Sequence, residues 1–177
     1  SCLIGNNHHR TPTPGEDFQM FERDLPGENK AGYSSGQEVS ALPLETCETM
    51  NGMWGYKIED QNYKSTKTLI QLLVRAAGKN ANLLMNIGPQ PNGELPSVAV
   101  QRMKEMGEWM QQYGETIYGT RAGDVESRAW GVSTRKGNRL FIHVLDLKDA
   151  SLFIPLKTKV KKAIQFADGK AVSFTQD

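Results

Sequence analysis

The stretch "NLLMNIGPQPNGELPSVAVQRMKEMGEWMQQYG", Asn82 to Gly114, decides how the rest of the chain is read. Its opening residues, Asn82 to Ile87, form a nearly continuous apolar run, the pattern of a strand covered on both faces. The run breaks at "GPQPNG", where prolines and glycines oppose regular structure. A helix is then expected from about Pro96, a residue favoured at the first helical position. It carries Val100, Met103, Met106, Met110 and Tyr113 on one stripe before Gly114, and Trp109 is read with that stripe as core.

The same unit recurs upstream. Ser65 is a candidate N-cap, and Leu69, Ile70, Leu72, Leu73, Ala76 and Ala77 follow at helical spacing until Gly78 offers a stop. Short apolar strands are expected at Cys2 to Gly5 and at Pro43 to Cys47, which gives residues 1–121 a β-α-β-α rhythm. After Arg121 the pattern changes. Trp130 to Thr134, Leu140 to Asp146, Leu152 to Pro155, Val160 to Phe166 and Ala171 to Phe174 are β-type runs split by turns such as "RKGN" and "ADGK", with no helical period between them.

The expected fold class is therefore α/β: an incomplete (β/α)8-type barrel, or else a smaller α/β domain, over residues 1–121, followed by part of an antiparallel β-sandwich over residues 122–177. A whole barrel needs roughly 250 residues, and an open half-barrel would expose an unpaired strand edge. The chain also opens inside a strand-like run, with neither a signal peptide nor a natural start. Either the chain is a fragment of such a barrel, or the fold is a smaller α/β domain.

Composition narrows the function classes. With 38% hydrophobic and 23% charged residues and a net charge of +1, the 177-residue chain has the make-up of a soluble globular protein. Lys and Arg are scattered apart from the alternating "KTKVKK" at Lys157 to Lys162, so no nucleic-acid footprint is expected. No apolar run approaches the roughly 20 residues of a membrane span. Cys2 and Cys47 lack metal or CxxC spacing and are read as free buried thiols. The compartment stays open.

Chemistry is expected at the C-terminal ends of strands, where barrel loops carry functional groups. Three polar or aromatic clusters occupy such positions: "NNHHR" after the first strand, the segment around Glu22, and "NGMWGY" after "PLETC". Asn7, His8 and His9 are candidates for hydrogen bonding a sugar, or for holding the loop. No further His or acidic residue stands at helical ligand spacing, so no metal is expected. Trp54, between Gly52 and Gly55, is either core or an aromatic wall for a ligand. In "PGEDFQMFERDLPGE", Pro14 to Glu28, Glu16 and Asp17 follow a turn and are read as solvated or capping it. Glu22 follows Phe18, Met20 and Phe21, where desolvation would raise its carboxyl towards general-acid use, and Glu28 sits in a turn.

Two segments carry a family resemblance. "LLMNIGPQPNGELPSVAVQRMKEMGEWMQQYGETIYGT", Leu83 to Thr120, closely resembles the family 29 α-L-fucosidase segment of leucines, "NIGP", a "P-x-G" turn, an amphipathic helix and "GE-IYGT". "ETMNGMWGYKIEDQNYKS", Glu48 to Ser65, is similar to that family's "WGY" segment and "NYKS" helix start. The resemblance runs along most of residues 1–121.

It implies a retaining exo-glycosidase that removes terminal α-linked L-fucose from oligosaccharides or glycoconjugates through a covalent intermediate, with no cofactor. The family's nucleophile is an Asp in a "W-x-D-G" type context that this chain lacks, so the nucleophile is expected before Ser1. "DFQMFE" fits the "D-[FY]-x-x-x-E" pattern, which makes Glu22 the acid/base candidate and Glu28 the reserve. Trp54 would pack on the fucose ring or its methyl group. Asn7, His8 and His9 would lie near the sugar, although many relatives read "NDR" there. "NIGP" is read as a turn that shapes the site. A non-catalytic carbohydrate-binding protein of the same fold, or a barrel hydrolase for another sugar, are the alternatives. Secretion or a periplasmic location follows by analogy alone, and protein partners stay unknown.

Overall fold

The computed structural model describes residues 2–7, 10, 12–32 and 38–176. Four strands, β1 (Gly5–Asn6), β2 (Phe18–Glu22), β3 (Leu44–Thr49) and β4 (Ala81–Asn86), form one parallel sheet in sequence order. Helices α1 (Thr66–Gly78) and α2 (Ser97–Tyr113) follow β3 and β4, and a 3-10 turn over Gly114–Thr116 ends α2. Strands β5 (Arg121–Ala122), β6 (Gly131–Lys136) and β7 (Arg139–Val144) form a separate antiparallel sheet.

Alternation sorts the parallel sheet into two faces. Phe21 is wholly buried and clusters with Leu25, Leu44, Ala76 and Ala81 beneath Leu72 of α1. Burying such a ring contributes roughly 2–3 kcal/mol. Met50, Leu69, Ala99 and Met106 make a second cluster, which joins α1 to α2 and takes in Met85 and Ile87. Residues one step along each strand (Met20, Glu22, Glu45, Cys47, Asn82 and Leu84) therefore share the opposite face.

The helix signals hold, with local corrections. Ser65 caps α1, its hydroxyl accepting from the Thr68 amide. Gly78 is not the stop: it is the last helical residue, and Asn80 takes the left-handed turn at φ 61°. Gly78 is required by packing instead, because a Cβ there would lie 2.5 Å from the side chain of Val132. Pro96 is the N-cap of α2 rather than its first residue. Met103 of the expected stripe is 45% exposed, since only Ala99 and Met106 are fully enclosed against α1. Trp109 is half-buried and heads a run of rings, 5.2 Å from Tyr113, which is 6.0 Å from Phe166.

Four strand expectations are corrected. The first strand is Gly5–Asn6, while Cys2 to Ile4 precede it; Cys2 is exposed, not buried, and only Cys47 is a buried thiol. The segment around Glu22 is itself a strand, with Glu22 its last residue. Within this chain β4 is covered by the helices on one face: Leu83 and Met85 pack under them, whereas Asn82 and Leu84, on the other face, are exposed. Beyond β7, the runs at Leu152 to Pro155, Val160 to Phe166 and Ala171 to Phe174 form no ladder, only the single bridge Ile164–Ala171. A β-run needs a partner edge for its amides, and Phe153 instead stands 83% exposed.

The two sheets are tied through α1 and the turn after α2. Gln71 donates to Leu145 O at 3.3 Å, Arg75 reaches the carbonyls of Arg128 and Ala129, and Thr134 Oγ1 donates to Thr116 O at 2.7 Å. His143 stands 2.9 Å from the Thr134 hydroxyl, and burial pushes its imidazole down to about 4.

Candidate functional site

The C-terminal ends of β2, β3 and β4 converge because the ladders run parallel, pairing Glu22 with Cys47 and Thr49 with Asn86. Glu22 closes β2 on the face away from the helices, half-buried, and its Oε2 accepts from Asn7 Nδ2 at 2.5 Å. Cys47 beside it carries a thiol raised to about 11, first by burial and then by the charges of Glu22, Glu45 and Glu48. This face is acidic. Glu45 belongs to it through the alternation in "LETCET", a signal readable from the sequence yet not used there.

The other carboxylates of the Pro14 to Glu28 stretch have different partners. Glu16 accepts from the Thr13 amide and from Asn6 Nδ2, both at 2.7 Å, so it caps a turn. Asp17 accepts from the Ile4 amide at 2.8 Å. Glu28 pairs with Lys30 at 2.7 Å and lines a cleft with Thr46, Gln71 and Leu72, on the helix side of the sheet. The structure thus brings Asn7 to Glu22 and leaves Glu28 on the opposite face. His8 and His9 lie outside the described residues.

Past β3 and β4 the loops are fastened by polar groups, of which Thr49 and Asn51 are buried. The Thr49 hydroxyl, with one proton to give, stands 3.1 Å from Asn51 Oδ1 and 3.0 Å from Met53 O, and it accepts from Asn86 Nδ2 at 3.2 Å. Asn86 also donates to the carbonyl of Trp54 at 2.7 Å. Lys64 Nζ donates to Thr49 O at 2.6 Å and Asn51 O at 3.2 Å. Asp60 Oδ2 accepts from the amides of Gly52 and Met53, each at 2.8 Å. Most of these contacts close the one loop that carries Trp54.

The "NIGP" turn and the "WGY" loop touch directly. A Cβ on Gly88 would lie 2.5 Å from the Tyr56 amide nitrogen and 2.6 Å from the Gly55 carbonyl carbon, so only glycine permits this approach. Trp54 is half-buried, and the guanidinium of Arg23 lies over its ring, 5.2 Å from the centroid. Arg23, Asp60 and Lys64 were not foreseen as site residues. Nothing local in the sequence marks Arg23, whose partners lie about thirty positions away.

Among the described residues no group of three or more His, Cys, Asp or Glu is placed to hold a metal ion. No described helix is long and apolar enough to cross a membrane. The arrangement offers a carboxylate oriented by an amide at the end of β2, and an aromatic ring on a pinned loop that the next residue, Arg23, reaches. Such a site suits proton transfer to a bound ligand with an apolar face.

Comparison with known proteins gives a consistent picture. A family model described as Alpha-L-fucosidase matches residues 1–115. The plasma alpha-L-fucosidase of Rattus norvegicus is 38% identical over 79 residues, 43% of this chain and 17% of that protein. The alpha-L-fucosidase of Dictyostelium discoideum is 29% identical over 130 residues, 70% of this chain and 28% of that protein. Among solved structures, alpha-L-fucosidase isoenzyme 1 from Paenibacillus thiaminolyticus aligns with a TM-score of 0.74 at 36% identity, over 91% of this chain and 38% of its own. Thermotoga maritima alpha-fucosidase in complex with fucose aligns with a TM-score of 0.74 at 26% identity, over 99% of this chain and 39% of its own. The chain therefore spans well under half the length of these relatives.

Proposed function

The chain belongs to the alpha-L-fucosidase family, and from that premise we propose that the full-length protein is a retaining exo-glycosidase that hydrolyses terminal α-linked L-fucose. Its substrate is a fucosylated oligosaccharide or glycoconjugate. The parallel sheet is then the C-terminal part of a (β/α)8 barrel over residues 1–121, and the antiparallel strands begin a β-sandwich over residues 122–177. The observation that carries the reading is Glu22, held at the end of β2 by Asn7 at 2.5 Å and standing near the loop of Trp54.

The chemistry needs two carboxyl groups about 5–5.5 Å apart. In the first step Glu22 gives its proton to the glycosidic oxygen as a carboxylate attacks the anomeric carbon, and the aglycone leaves as an alcohol. In the second step Glu22, now ionised, takes a proton from a water that attacks the same carbon and frees fucose from the enzyme. The nucleophile is an Asp from the part of the family's length that this chain does not span. Asn7 holds the Glu22 carboxylate in one orientation through both steps, Trp54 supplies an apolar wall, and His8 and His9 contribute polar contacts to the sugar.

The test is hydrolysis of an aryl α-L-fucoside by the full-length protein and by Glu22→Gln. The variant is expected to lose about 10²–10⁴-fold in kcat/KM, with partial rescue by azide for an activated leaving group. Wild-type rates in Glu22→Gln would remove Glu22 from the acid/base role. An inactive wild type that still binds fucose would make the protein a carbohydrate-binding relative.

A further inference from the structure

Resting on the fucosidase reading above, we propose that Arg23 is a positioning residue that fixes the orientation of the Trp54 ring and leaves one ring face for the sugar. The backbone of the Trp54 loop is held by Asp60 on the Gly52 and Met53 amides and by Asn86 on the Trp54 carbonyl. Those bonds fix the main chain but not the rotation of the indole about its side-chain bonds. The Arg23 guanidinium lies over the ring, 5.2 Å from its centroid, and is itself held by donating Nη2–H to Gly52 O at 2.6 Å. One face is therefore covered by a cation, and an apolar sugar face can pack only on the other.

The backbone of Arg23 carries the second observation. Its amide donates to Cys47 O at 2.8 Å, the bond that closes the last pair of the β2–β3 ladder, Glu22 with Cys47, yet its φ is 57°. A residue with a side chain in that left-handed region is disfavoured relative to glycine. The strained turn sends the guanidinium from the end of β2 to the loop beyond β3. Arg23 thereby couples the position of the proton donor to that of the aromatic wall through a single peptide unit.

The experiment uses the full-length protein with Arg23→Gly and Arg23→Lys. Glycine suits φ 57°, so Arg23→Gly keeps or raises the Tm while removing the guanidinium. The expected result for aryl α-L-fucoside is a KM raised about tenfold with kcat changed less than about threefold. Lysine restores part of the loss by returning a cation to the ring. Calorimetric titration with L-fucose should show the same tenfold weakening in Arg23→Gly. An active wild type with unchanged KM and fucose affinity in Arg23→Gly overturns the assignment and spares the hydrolase reading. A loss in kcat that tracks a fall in Tm also overturns it, as a purely structural role would produce. A wild type that binds L-fucose in an Arg23-dependent way without hydrolysis upholds the assignment and sinks the hydrolase reading, and one that neither binds nor hydrolyses overturns both.

Discussion

At the ends of β3 and β4, polar groups around the buried Thr49 and Asn51 bond to one another and fasten the Trp54 loop, as in the Asn86–Thr49 contact between residues 37 apart. The three-stranded sheet is also bonded at long range, through Gln71, Arg75 and Thr134, but those bonds tie it to α1 and to the turn after α2 and none of them touches the Trp54 loop. Lys136 and Arg139 pair across the two-residue turn at Gly137 and Asn138, while Val144, Phe153 and Phe174 stay exposed. The difference teaches where a substitution will be felt as function. A change in the first region shifts a loop that carries Trp54. A change in the second is expected to alter stability and to leave the proposed sugar site where it was.

The sharpest contrast uses pH. His143 titrates near 6.5 when unfolded but at about 4 in the fold, because burial disfavours its charged form. The unfolded state therefore binds more protons between those values, and stability rises with pH across that window. Roughly 3 kcal/mol present above pH 6.5 should be lost by pH 4. Urea unfolding of the full-length protein and of His143→Gln should show this acid loss in the first alone, with KM unchanged in both; a KM shift in the variant would break the contrast.

Next in size is Gly88→Ala. Its new Cβ meets backbone at Gly55 and Tyr56, which cannot rotate away, so about 1–3 kcal/mol of stability should go together with a severalfold rise in KM. Unaltered melting and kinetics would mean that the two turns are not in contact. Asn86→Ala should cost about 1–2 kcal/mol by removing the donor to the Trp54 carbonyl and one of the Thr49 hydroxyl's partners, again with a raised KM. The smallest effect is expected from Phe166→Ala, which loses ring contacts at 6.0 Å to Tyr113 and 5.9 Å to Phe141. About 1 kcal/mol or less should be lost, and any change in fucoside kinetics would blur the distinction between the regions.

What the sequence made legible follows from the range of the forces involved. Helix α1 announces itself through Ser65 and a local apolar period, and β6 and β7 through alternation around a turn. β2 hides because Gln19, on its buried face, is fully enclosed and bonded to the carbonyls of Arg10 and Glu38 and to the Ser40 amide. A satisfied polar side chain in the core erases the alternation that marks a strand. The tail runs mislead in the other direction, since β propensity is written locally but a ladder needs a neighbour. Within the site, the placement of Glu22 with Asn7 and the pinning of the Trp54 loop by Asn86 continue motifs visible in the sequence. Arg23 and Asp60 act on residues no spacing rule connects to them.

The burial of Cys47 has a practical consequence for chemical labelling. A thiol raised from 9.0 to about 11 presents about a hundredfold less thiolate to an alkylating reagent at neutral pH, and its backbone lies in the middle strand of the β2–β3–β4 ladder. Cys2 is exposed and open to the same reagent. Alkylation with iodoacetamide should therefore mark Cys2 promptly and Cys47 only when the parallel sheet opens, which makes the slower of the two modifications a clock for the unfolding of the strand beside Glu22.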